Sequence, residues 1–104
     1  MQLIWSLRAR NEYYHTLAYI EDNFGRKAAL AFDTEVRIRE SWIAENPNIG
    51  RIEPLLTDRQ DKQYRCILVG KHNKFIYCVE GETIRIADLW DMRQNPKTLI
   101  KRVK

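Results

Sequence analysis

The stretch Gln63 to Pro96, QYRCILVGKHNKFIYCVEGETIRIADLWDMRQNP, decides the fold of this 104-residue chain. Three runs rich in β-branched and aromatic residues, Tyr64 to Val69, Phe75 to Val79 and Thr83 to Trp90, are separated by Gly-Lys-His-Asn at 70 to 73 and Glu-Gly-Glu at 80 to 82. Parallel neighbours need a crossover of about a dozen residues or more, and these links are far shorter, so the runs predict an antiparallel three-stranded meander. Successive side chains of a strand point to opposite faces, which sets Arg65, Ile67 and Val69 against Tyr64, Cys66 and Leu68. The expectation is one apolar face for a core and one face carrying cations toward an anionic partner, with Arg65, Lys71, Lys74, Arg85 and Arg93 in or beside the strands.

Upstream of the meander, Gln2 to Trp5 reads as a short strand and Ser6 as a helix N-cap. Tyr13, Leu17, Ile20 and Phe24 recur at helical spacing in Leu7 to Phe24, with Asn11, Glu12, His15, Tyr19 and Asp22 opposite them. Gly25 ends that helix. A second helix runs from about Arg26 to Glu45 and stops at Asn46-Pro47, because the residue before a proline is pushed out of helical geometry. Its apolar set, Ala28, Ala31, Phe32, Val36, Ile38, Trp42 and Ile43, spans half the circumference. Glu35 and Arg39 fall inside that apolar half, four residues apart, and predict an ion pair at the edge of the helix-sheet contact. One tight connection makes the two helices an antiparallel hairpin. Pro47 to Gln60 reads as a loop pinned by Ile52, Leu55 and Leu56, and the tail from Lys97 to Lys104 as a short basic helix or a frayed end.

The predicted class is therefore α+β: a short N-terminal strand, then an antiparallel helical hairpin packed on an antiparallel sheet, with residues 1–104 forming one domain. The formal net charge is +4, distributed unevenly: residues 1–50 carry six basic against seven acidic side chains, residues 51–104 twelve against seven. The sheet half is the basic half, which permits a nucleic-acid or acidic-protein partner. Cys66 and Cys78, the only cysteines, read as apolar core residues in a reducing compartment, and neither has the His or Asp spacing of a metal site. Met1 to Ser6 lacks the charged leader of a signal peptide, and no run approaches the roughly 20 apolar residues of a membrane helix. The expected location is the cytoplasm.

Most catalytic templates are missing: there is no glycine-rich phosphate loop, no ligand cluster and no Ser-His-Asp spacing, and no cofactor or metal is implied. His15 reads as a solvated residue. His72 lies in the first hairpin turn between Lys71 and Lys74, where it would extend a basic cluster. Cleavage of RNA through the 2′-hydroxyl needs a base, an acid and cations against the developing phosphorane charge; Arg65, Lys74 and Arg93 could supply the charge, and no sheet residue is an obvious base.

These residues carry a resemblance to the RelE/ParE superfamily of bacterial type II toxins. It rests on Ala18-Tyr-Ile-Glu-Asp-Asn-Phe-Gly in the first helix, Glu45-Asn-Pro-Asn-Ile-Gly-Arg after the second, Tyr64-Arg65, Val69-Gly-Lys-His and Ile76-Tyr77-Cys-Val, and on an element order that matches over nearly the whole chain. The resemblance implies a toxin held inactive by a cognate antitoxin. RelE-like members are ribosome-dependent mRNA endonucleases. In that comparison Arg65 falls at the first strand lysine, Lys74 at the arginine before the Ile-Tyr pair and Arg93 near the C-terminal arginine, which would make these three catalytic. Ile67 stands where a second lysine is expected and Thr98-Leu99 where a tyrosine is expected. ParE-like members inhibit DNA gyrase by binding and have the longer hairpin and the Asn-Pro-x-x-Gly-Arg loop seen here; Leu89-Trp90 replaces their Leu-His. The resemblance thus favours a gyrase inhibitor with Lys71, His72, Arg85 and Trp90 as target-binding residues, the alternative being a RelE-like mRNA interferase acting on the ribosome with mRNA. An antitoxin segment is expected on the helical hairpin or sheet.

Overall fold

A computed structural model describes residues 1–103, so Lys104, the end of the expected basic tail, lies outside the described residues. Chain order is β1 (Gln2–Trp5), α1 (Leu7–Phe24), α2 (Arg26–Glu45), β2 (Arg51–Ile52), a 3-10 turn (Pro54–Leu56), β3 (Tyr64–Val69), β4 (Asn73–Glu80), β5 (Thr83–Asp91) and α3 (Pro96–Arg102). Ser6 caps α1 through its Oγ, which accepts from the Ala9 N–H at 3.1 Å. Gly25 has φ 92°, a backbone state that favours glycine, and this lets the hairpin turn on one residue.

The five strands lie in the order β1-β5-β4-β3-β2. The meander is antiparallel, as expected, but β1 joins β5 in parallel, Leu3 opposite Ile84, so the sheet is mixed. The register slips between Ile76 and Tyr77, whose partners are Asp88 and Ile86, leaving Ala87 as the extra residue of a bulge. Ser6 locks onto that bulge: its N–H donates to the Ile86 carbonyl and its hydroxyl to the Ala87 carbonyl, both at 2.9 Å. The start of α1 is thereby fixed to the sheet.

Both faces of the sheet are buried, which corrects the expectation of one apolar and one open cationic face. Beneath the helical hairpin, Phe32, Val36 and Ile43 pack on Val69, Phe75, Tyr77, Ile84, Ile86 and Leu89. On the other face Leu56, Leu99 and Val103 cover Tyr64, Cys66, Ile76, Cys78 and Trp90. The physical reason is that the loop after β2 and the tail each bring apolar side chains back over the sheet, Leu99 and Val103 being one helical turn apart. Cys66 and Cys78 are free and buried, and burial pushes both thiols up. The segment read as an unstructured loop contains β2 and the 3-10 turn, with Leu56 buried and Ile52 exposed.

Candidate functional site

The cations singled out by sequence are dispersed by the fold. Lys74 lies on the tail side of the sheet, 6% exposed, its Nζ paired with Glu53, whose side chain is fully buried. Glu53 also caps the 3-10 turn, Oε2 accepting from the Leu55 N–H at 2.9 Å. Arg65 faces the other way, toward Tyr77, and Nη1 donates to the Gly50 carbonyl at 2.8 Å. The Tyr77 hydroxyl accepts from the Gly50 N–H at 2.9 Å and donates to the Pro47 carbonyl at 2.7 Å, so Arg65 and Tyr77 together clamp the loop after α2. Arg85 is partly exposed on β5 opposite Cys78. Trp90 is buried at 2% exposure beneath the Arg102 guanidinium, 5.0 Å from the ring centroid, and presents no ring to solvent.

Lys71, His72 and Arg93 do come together. Asn73 faces Asp91 in the ladder and the Met92 N–H donates to the His72 carbonyl at 2.7 Å, which zips the β3–β4 turn to the segment after β5. Helix α1 passes this corner, and a cleft of about 500 Å³ lies between them, walled by His15, Tyr19, Phe24, Phe32, Lys71, His72, Asp91 and Arg93 among others. Arg93 forms a two-pronged pair with Asp91, Nε to Oδ1 at 3.0 Å and Nη2 to Oδ2 at 2.7 Å. Those bonds hold the Asp91 carboxyl below its ordinary value and the Arg93 guanidinium above, with the nearby His72 ring adding to the effect on Asp91. The other carboxylate of the cleft, Glu12, meets Arg102 at 3.2 Å. The side chains of His15, Lys71 and His72 are exposed and make no hydrogen bond or ion pair among the described residues.

A second surface lies along α2. Ile38 and Trp42 are 43% and 42% exposed, whereas Leu68 at the neighbouring edge of the sheet, 55% exposed, points to the other face with Cys66 and Lys74. Arg39 joins Ile38 and Trp42, its guanidinium 4.3 Å from the Trp42 ring centroid and Nε donating to the Leu68 carbonyl at 2.9 Å. The ion pair expected between Glu35 and Arg39 is present but long, 3.8 Å, because Glu35 accepts from the Gly70 N–H and Arg39 reaches the strand. Strand β2 covers only Arg65 and Cys66 of β3, so beyond them the edge is unpaired by any strand.

Sequence reading missed the buried partners, Glu53 for Lys74 and Asp88 for Arg102. Asp88 is fully buried, with Arg102 Nη2 at 2.8 Å; burial raises its carboxyl, and Arg102 only partly offsets this. It also missed that His15 and Tyr19 join the turn cluster, although their four-residue spacing on one helix face was available as a signal. No group of three or more His, Cys, Asp or Glu side chains suited to a metal ion is present among the described residues.

The model of a family described as the ParE toxin of the type II toxin-antitoxin system parDE matches residues 3–96. A solved structure titled as a chromosomal ParDE toxin-antitoxin system from P. aeruginosa superposes with a TM-score of 0.70 at 16% identity, covering 88% of this chain and 95% of that one. A YoeB/ParE toxin from Agrobacterium tumefaciens gives a TM-score of 0.56 at 18% identity, over 88% of this chain and 98% of that one. No curated protein matches.

Proposed function

The chain belongs to the ParE toxin family of type II toxin-antitoxin systems, and from that premise we propose that it acts by binding and inhibiting DNA gyrase rather than by cutting RNA. The observation that carries this reading is the separation of the three candidate catalytic cations. Lys74 is committed to buried Glu53, Arg93 to Asp91, and Arg65 to the Gly50 carbonyl on the opposite face of the sheet from Lys74. Stabilising a phosphorane requires donors aimed at one point, and these three are aimed at internal partners in three places. A binding inhibitor has no such requirement and can use exposed turn residues such as Lys71 and His72. Gyrase as the target places the chain in the cytoplasm. Among the described residues no helix is long and apolar enough to cross a membrane.

A toxin of this family has a cognate antitoxin as its partner. We place the docking surface on the strip of α2 formed by Ile38, Arg39 and Trp42, where an amphipathic helix could cover the exposed apolar side chains. The test is induced expression of the chain alone in a bacterium. Relaxed plasmid and broken chromosomes with intact transcripts are expected. Cleaved translated messages with normal supercoiling would instead establish the mRNA interferase alternative.

A further inference from the structure

The cleft between α1 and the zipped turn is a pocket of about 500 Å³, within the ~300–1,000 Å³ of small-molecule sites. Its two chemical halves lie side by side. One is aromatic: Tyr19 and Phe24 are 50% and 69% exposed and stand edge to face with centroids 6.4 Å apart, leaving π-surface without a partner ring from the rest of the chain. The other is cationic, and pairing decides its sign. Each carboxylate of the cleft already faces an arginine, Asp91 with Arg93 and Glu12 with Arg102. That leaves the Lys71 ammonium uncompensated, beside two imidazoles and the Arg93 Nη1 amine, which donates to nothing among the described residues. The pair with Asp91 also fixes the guanidinium plane before any ligand arrives, so little side-chain entropy is lost when Nη1 finds an acceptor.

We propose that this cleft binds a nucleoside phosphate, the base resting on Tyr19 and Phe24 and the phosphate held by Lys71, His72 and the free edge of Arg93. Bases stack on aromatic side chains whatever their sequence, and a phosphate oxygen accepts from ammonium, imidazole and guanidinium donors alike. A cationic ligand is disfavoured because no carboxylate of the cleft is unpaired. The cleft opens under the hairpin, on the opposite face of the sheet from Lys74 and Trp90, so the inference does not depend on gyrase being the target.

The test uses the full chain with adenosine 5′-monophosphate, adenosine, inorganic phosphate and a labelled ten-residue oligothymidylate, by titration calorimetry and anisotropy. Adenosine monophosphate is expected to bind at least tenfold more tightly than adenosine or phosphate alone. Tyr19→Ala and Lys71→Ala should each weaken it about tenfold, the range of a lost stacking or charge-assisted contact, with an unchanged urea midpoint since both side chains are exposed. Tighter binding of the oligomer than of the mononucleotide, lost on the same two substitutions, identifies a nucleic-acid strand as the source of the nucleotide; the reverse order identifies the free nucleotide. Binding that survives both substitutions, or no binding of either probe at millimolar concentration, overturns the proposal.

Discussion

Replacing Lys74 with alanine separates a structural cation from a catalytic one. The ammonium is 6% exposed and its partner Glu53 is fully buried, so solvent screens neither charge. Deleting one member of a buried pair strands the other and costs about 3–5 kcal/mol. A domain of this size has a total stability on the order of 5–15 kcal/mol, so the variant sits close to its unfolding threshold. With a urea slope of about 1.5 kcal/mol per molar, the midpoint should fall by roughly 2–3 M. Glu53 also loses its restraint while still accepting from the Leu55 N–H, so the 3-10 turn and the Leu56 contact should loosen first. The double variant Lys74→Met/Glu53→Gln removes both charges and keeps an acceptor for that N–H. It should recover most of the loss, giving a coupling energy of at least about 2 kcal/mol in the mutant cycle. Urea unfolding followed by tryptophan fluorescence measures Lys74→Ala beside the four corners of the cycle, wild type, Lys74→Met, Glu53→Gln and the double variant, and Trp90 in the same cluster supplies a reporter. If Lys74→Ala unfolds at the wild-type midpoint yet loses RNA cleavage, Lys74 is a catalytic residue and its assignment as half of a structural pair is wrong.

Gly50→Ala should lower stability by about 1–3 kcal/mol in the same assay, because an added Cβ would meet the Cys66 carbonyl and the Tyr77 hydroxyl, each at 2.7 Å, and neither is the free end of a flexible chain. On acidification, Asp88 should take up its proton before Asp33 or Asp91 in a carboxyl-carbon NMR titration, since burial raises the first while the Tyr13 hydroxyl and Arg93 lower the other two. The signs for stability are opposite. Asp33 and Asp91 contribute stability above the ordinary carboxylate range and lose it as pH falls through their depressed values, whereas the Asp88 contribution grows as pH falls through its raised value. Trp42→Ala should weaken antitoxin binding by about 2 kcal/mol while leaving the free chain's thermal midpoint within a few degrees, measured by calorimetry and melting; an unchanged affinity would move the docking surface elsewhere.

The two helices of the hairpin were legible, unlike α3, because their ends are marked by residues with a local physical role. Ser6 accepts from Ala9, Gly25 adopts φ 92°, and Asn46 precedes Pro47. The meander was equally plain, its turns being two short polar links. The parallel pairing of β1 with β5 was not, since it joins residues about eighty positions apart and no local signal marks it. The covering of the second face was half visible, in the one-turn spacing of Leu99 and Val103 within an otherwise basic tail. At the site, the Lys71-His72 turn was found from charge alone, whereas the fates of Lys74 and Trp90 depended on Glu53 and Arg102, which reach them from distant loops and helices. Strand alternation assigns a face but does not say what covers it.

The most direct test of the central claim is a supercoiling assay with purified chain, purified gyrase and relaxed plasmid, run beside translating ribosomes loaded with a defined message. Gyrase binding predicts stoichiometric inhibition of supercoiling, relieved by the antitoxin, with the message intact. Full gyrase activity at excess toxin together with cuts in the ribosome-bound message would contradict it.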